Sequence, residues 1–344
     1  MGGARARSRT SDRSPSAPLP QRRSARATAR RRYTPPALDP AAPTGAAVRL
    51  LLRSLLETVR SCEQDLPEND PEAVHDLRVA VRRARCMVGQ LRGALAGDEL
   101  ERLREDLRWL GALTGPSRDR DVLHAWLETL RPALAPDEGP AFDALVARVS
   151  LERDQARRDL LEGWGSARLE RSLDEWERIA VAPERRNLAS PDGDRPIGEM
   201  AAKAIDRAWR RLVRHGRAVS DGAPAEALHR VRIDGKKIRY LLELFRSAYP
   251  SVDLGPTITA LKALQDCLGE LNDAANREQA LRRLAHALAD DGAAADTLLV
   301  AGRLMERARG TGAAARARFP ERFAVLAAKD NRRRIRGLSS KSAV

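Results

Sequence analysis

Two stretches of this chain say nearly the same thing: VHDLRVAVRRAR at residues 74–85 and LHRVRIDGKKIR at residues 228–239. Setting His75 on His229, an offset of 154, places Arg78 on Arg232 and Arg85 on Arg239, and the pair Arg82, Arg83 on Lys236, Lys237. The same offset matches Glu72 to Glu226, Arg49 to Lys203, Arg53 to Arg207, Arg60 to Arg214 and Arg168 to Arg322. A second landmark, Leu110-Gly111-Ala112-Leu113 against Leu268-Gly269-Glu270-Leu271, repeats at 158, so the second half carries a slightly longer connection. Such a period calls for two versions of one folding plan. VAPERRNLASPDGDRPI, residues 181–197, reads as the linker by its Pro, Gly, Asp and Asn content. The halves then run over 44–180 and 198–328, between an N-terminal arm at 1–43 and a C-terminal tail at 329–344.

Each half reads as helices. LLLRSLLETV and MAAKAIDRAWRRLV carry apolar residues at spacings of three and four. The next helix opens with Asn69 or Asp70 as cap, Pro71 in the first turn and Glu72 beside the positive helix end; Pro224 and Glu226 serve the second copy. Further helices are predicted over 98–112, 119–131, 140–178, 256–270, 274–289 and 294–309. Aromatics make up only 3% of residues, and the β-branched runs that announce strands are scarce. The fold class is all-α, as two antiparallel helical bundles with short loops. No apolar run approaches the roughly 18 residues that span a bilayer. Cys62, Cys86 and Cys267 are odd in number, widely spaced and without a CxxC pair, so they read as small buried hydrophobes in a reducing compartment, with neither a metal nor a disulfide role.

The net charge of +14 has to be located before it is used. Residues 1–43 hold ten arginines against Asp12 and Asp39, which gives +8; residues 329–344 give +5. The body between them is left with +1, so any anion-binding role there must rest on how charge is arranged. The arm is rich in Arg, Ser, Ala and Pro without apolar periodicity and reads as disordered, a non-selective polyanion adhesive. A transit peptide or an overlong start is the other reading of the arm.

On a helix turning about 100° per residue, His75, Arg78, Arg82 and Arg85 lie within an arc of about 80°. Leu77, Ala80, Val81, Ala84, Val88 and Leu91 occupy the side beyond it, so the cations border an apolar stripe. His229, Arg232, Lys236 and Arg239 repeat the arc. Arginines on a helix are ordinarily a solvated face or are matched by carboxylates one turn away. Here the arc contains no carboxylate, and like charges on one face repel, which a purely structural role does not justify. The histidines read as hydrogen-bond donors to a ligand, or alternatively as ties between a helix start and its neighbour. Arg49 with Arg53, and Lys203 with Arg207, add further basic pairs on the first helix of each half. Arg118 reads as a local cap paired with Asp119 and Asp121, and His124 and His286 as ordinary.

These motifs, with WLGALTGPSRDRDVL and LKALQDCLGELND downstream of the two copies, resemble the CHAD domain, the conserved-histidine α-helical domain. The resemblance covers roughly residues 44–328. It implies two helical bundles related by a pseudo-twofold axis, with a basic groove that binds inorganic polyphosphate, often at intracellular granules, and no catalysis by this domain alone. No cofactor is implied. The binding residues carried over are His75, Arg78, Arg82, Arg83, Arg85, His229, Arg232, Lys236, Lys237 and Arg239, with Arg49, Arg53, Lys203 and Arg207 beside them. Two departures stand out: lysines replace the arginine pair in the second copy, and Gly235 stands where the first copy has Val81, marking a bend or a close approach. The ExExK strand motif of some family members is missing, so this reads as a stand-alone version.

The physical chemistry points the same way. A bare phosphate polymer calls for a line of guanidinium and ammonium groups and no stacking platform. Single-stranded nucleic acid uses aromatic faces, and only Tyr240 lies near the arc. Two rivals remain: a nucleic-acid-binding protein driven by its basic tails, and a histidine phosphatase, because LVRHGR at 212–217 mimics the RHG signature with His215 as phosphoryl acceptor. That motif belongs at the end of a strand, whereas here it ends a helical run, with Gly216 as a helix stop.

Overall fold

The computed structural model describes residues 33–63, 65, 66, 70–182 and 190–340. The first half contains α1 (Thr44–Glu63), α2 (Pro71–Gln90), α3 (Gly97–Leu113), α4 (Gly115–Leu130), α5 (Gly139–Trp164) and α6 (Ala167–Val181). The second contains α7 (Ile197–Arg217), α8 (Ala225–Phe245), α9 (Gly255–Asp290) and α10 (Ala295–Leu326), and α11 (Lys329–Ser340) follows in the segment read as the tail. Among the described residues there is no strand, only an isolated bridge between Pro43 and Pro196, so the all-α class holds.

The start of α2 follows its sequence signals. The Asp70 carboxylate accepts the Glu72 N–H at 2.9 Å, and Pro71 occupies the first turn, where its missing N–H costs nothing. Other boundaries depart from expectation. The helix predicted over 140–178 is broken at Gly165 and Ser166, and the Ser166 hydroxyl caps α6 by accepting the Leu169 N–H at 3.3 Å. The two helices predicted over 256–270 and 274–289 are one, α9; Asn272 and Asp273 are weak helix formers, but no Gly or Pro lies between the segments to end the ladder. The helix predicted to end at 309 runs on to Leu326, with Pro320 inside it.

Consecutive helices pack as hairpins, and the apolar packing falls into two bodies that each draw on both halves. The larger joins α1, α2, α3 and α6 to α7, α8, the first part of α9 and the end of α10. The smaller sets the α4–α5 hairpin, through Leu127, Phe142 and Leu145, against Leu281, Leu284 and Ala301 of the α9–α10 hairpin. The helix starts α1 and α7 are stitched together: Thr44 N–H donates to Arg195 O at 2.8 Å, Ile197 N–H to Ala42 O at 2.9 Å and Gly198 N–H to Pro40 O at 2.9 Å. A Cβ on Gly198 would lie 3.1 Å from Pro40 O, which is why glycine stands there.

Both terminal segments correct the sequence reading in part. Residues 1–32 of the expected arm and 183–189 of the expected linker lie outside the described residues, as does Asn69. Residues 33–43, placed in the arm, pack on the body: Leu38 is buried, and its N–H donates to Ser247 Oγ at 3.1 Å. Lys329–Ser340, set apart as tail by charge alone, is α11, which buries Ile335 and Leu338 against α7. Two such side chains stabilise the docked helix by about 1.5–3 kcal/mol each, enough to hold a highly charged segment down.

Candidate functional site

Helices α2 and α8 carry the two repeated stretches, and they pack directly on one another. On one side of that contact, Arg83 Nη2 of α2 lies 2.9 Å from Glu243 Oε2 of α8, and Arg239 Nε lies 3.2 Å from Oε1 of the same carboxylate. The Arg83 guanidinium also covers the Tyr33 ring at 5.0 Å, where burial pushes the phenol up to about 12. Lys237 sits 3.5 Å from Asp234. Thus Arg83 and Lys237, counterparts in the two copies, are both engaged by carboxylates: Arg83 across to α8, Lys237 within its own helix.

The other side of the contact is where charge gathers without such relief. Arg78 of α2 is half-buried, and its Nη1 lies 3.3 Å from Thr114 Oγ1 and 3.4 Å from Gly111 O, at the negative end of α3. A Cβ on Gly111 would lie 3.0 Å from Arg85 Nη1. The Leu-Gly-Ala-Leu landmark therefore seats guanidinium groups on α3. Burial, then Arg82, then Arg118 lower the Arg78 guanidinium, with Asp119 opposing. Burial and then Arg108 and Arg82 lower that of Arg85. His75 is half-buried, and burial, followed by the Arg118 charge, holds its imidazole below the ordinary value.

Arg82 is the hinge of the arrangement. Its charge bears on His75, Arg78 and Arg85 of its own helix and on Arg232 and Lys236 of α8. Lys236 is pushed down to about 7, by burial first and then by Arg82 and Arg232, against the pull of Asp273. Arg232 Nε is buried without a hydrogen-bond partner among the described residues. The two helices thus bring cations within range of one another, and burial, with these like charges behind it, disfavours the protonated form of Lys236. An incoming anion would be met by groups whose protonated forms it stabilises.

The remaining expected residues are placed elsewhere or held otherwise. His229 is exposed on α8. Arg49 is tied to Ile179 O and lies 3.2 Å from Glu99. Arg53 is exposed on α1, Lys203 is paired with Glu199, and Arg207 donates to Gln90 O at 3.2 Å, at the end of α2 remote from the arc. α8 runs unbroken through Gly235, where a Cβ would meet Gln265 Cγ at 3.7 Å and where Gln265 Nε2 of α9 donates to the Gly235 carbonyl at 2.7 Å.

Sequence reasoning missed the residues that face the arc from α3, α4 and α9. Arg118 is not a local cap: its Nη1 reaches Pro71 O at 3.4 Å, and its charge acts on His75 and Arg78 as well as on Asp121. Asp119 and Asp273 supply the opposing negative charge. No spacing rule could have found them, since they meet the arc only through tertiary packing.

The RHG look-alike has another explanation. His215 Nδ1 lies 2.6 Å from the buried Asp234 carboxylate. Gly216 is inside α7, pressed on Phe323, whose ring a Cβ would strike, so it is a packing glycine and not a helix stop. Among the described residues no group of His, Cys, Asp and Glu is arranged to hold a metal ion, Cys62, Cys86 and Cys267 form no disulfide, and no helix is long and apolar enough to cross a membrane.

The family model described as CHAD domain matches residues 50–282. The chain is similar to the crystal structure of the CHAD domain from the plant Ricinus communis: TM-score 0.63, 25% identity, 89% of this chain and 95% of that one covered. It also resembles PptA from Streptomyces chartreusis in fold, with TM-score 0.61 at 22% identity over 82% of this chain and 99% of that one. The uncharacterized proteins MT2285 and Rv2226 of Mycobacterium tuberculosis are each 28% identical to it over 210 residues, 58% of this chain. It spans only 39% of the length of those two relatives.

Proposed function

The chain belongs to the CHAD family, and from that premise we propose that it binds inorganic polyphosphate in the trough between α2 and α8. The observation that carries this reading is the convergence on Arg82 of cations from both helices, with Lys236 held near 7 between them. A flexible strand of phosphates is a ligand that can touch Arg78, Arg82, Arg232 and Lys236 in succession. Arginine forks take phosphate oxygens in pairs, and the strand's counterions are released as the protein's cations replace them. His75 can donate a hydrogen bond from the first turns of α2. On this reading the protein collects at intracellular polyphosphate granules and needs no catalytic group.

Among the described residues neither α2 nor α8 exposes an aromatic face, which favours polyphosphate over nucleic acid. Tyr240, the aromatic nearest the arc in sequence, is 2% exposed, and the Arg239 guanidinium lies 5.6 Å from its ring centre. A base has no face to lie on there, although phosphate does not need one. Competition for the full chain separates the two: single-stranded and duplex DNA at equal phosphate concentration should fail to displace labelled polyphosphate. Polyphosphate affinity should fall linearly with salt on logarithmic axes. Equal displacement by DNA would transfer the assignment to the basic termini.

A further inference from the structure

A cleft of about 670 Å³ opens beside the trough, walled by α4 and α5 of the first half and by α9 of the second. Asp119 of α4 and Asp273 of α9 both line it. Asp119 lies one turn along α4 from Gly115, where a Cβ would lie 3.3 Å from Arg78 Nη1. Asp119 acts on Arg78, and Asp273 acts on Arg232, Lys236 and Arg277. Arg78 and Arg232 are counterparts in the two copies, so each half sets one carboxylate against the same arginine of its arc. Neither carboxylate forms a close ion pair with that arginine: the Arg78 donors go to Thr114 and Gly111, and Arg232 Nε is left without a partner. The acids offset the charge of these arginines without taking up those donors.

Resting on the polyphosphate reading, we propose that Asp119 and Asp273 are internal counterions of the trough, which lower its affinity for phosphate and so set the shortest polymer that is retained. Every phosphate that reaches Arg78 or Arg232 comes under the repulsion of a fixed carboxylate. A short anion meets that repulsion with few contacts to offset it. A long strand meets the same repulsion once and gains Arg82, Arg85 and Lys236 besides. The carboxylates therefore act as a length threshold, and they keep a captured strand exchangeable.

The test is a titration of the full chain with polyphosphates of graded length, below neutral pH so that Lys236 is protonated in every variant. Asp119→Asn and Asp273→Asn should each tighten binding, by about threefold to fivefold, and the pair by about tenfold or more. The shortest polymer with measurable binding should become shorter in the double variant, while Asp119→Glu and Asp273→Glu, which keep the charge, should restore the wild-type threshold. Weaker or unchanged binding in the Asn variants, with thermal midpoints near wild type, would overturn the proposal and make these acids props for the arginines. Absence of polyphosphate binding by the wild type would instead sink the underlying reading.

Discussion

Arg82→Ala should weaken polyphosphate binding by roughly tenfold to a hundredfold, the equivalent of one charge-assisted contact of about 1.5–3 kcal/mol. The loss should exceed that from Arg78 or Arg232, because Arg82 bears on the cations of both helices. Arg53→Ala or Arg207→Ala, on exposed cations of the first helix in each half, should change affinity by less than about threefold, the scale of an exposed charge. Removing Arg82 also removes a repelling neighbour of Lys236, so the Lys236 titration should move upward from about 7. Affinity measured by calorimetry and the lysine titration followed by NMR must shift in these two directions together. A variant that loses affinity while Lys236 stays put would place Arg82 outside the shared trough.

The second large effect is on pH. Free Lys236 loses its proton near 7, and bound phosphate stabilises the protonated form, so binding is coupled to proton uptake. Affinity should be nearly flat well below 7, fall by up to about tenfold per pH unit above it, and level off once the bound-state value is passed. Lys236→Arg should abolish the fall and preserve affinity, since guanidinium stays charged throughout. Folding has the opposite dependence. Because the folded chain holds Lys236 at about 7 and the unfolded chain holds it near its ordinary 10.5, the unfolded state binds the extra proton between those values. The contribution of Lys236 to the stability of the ligand-free protein therefore rises with pH across that window. Bound polyphosphate should flatten the rise.

Much of this was legible in the sequence because it is local. Asp70, Pro71 and Glu72 announce the start of α2 without any tertiary information, and the arc of His75, Arg78, Arg82 and Arg85 follows from helical geometry. What failed depends on distant partners. Arg49 and Arg83 look as free as Arg82 on a helical wheel, but Glu99 is 50 residues away from the first and Glu243 is 160 residues away from the second. The break at Gly165 and Ser166 hides inside an apolar period that continues across it, and α11 hides behind its charge, with only Ile335 and Leu338 to show that it docks. Repetition gave the two basic helices; only their packing shows that Arg82 stands between them.

A structure of the full chain with a short polyphosphate of defined length bears most directly on the shared trough. Phosphate groups should lie between α2 and α8, within hydrogen-bonding distance of both the Arg82 guanidinium and the Lys236 ammonium, and should bring negative charge to the unpartnered Arg232 Nε. A strand lying along α11 or the N-terminal residues, with Arg82 and Lys236 unengaged, would contradict the account.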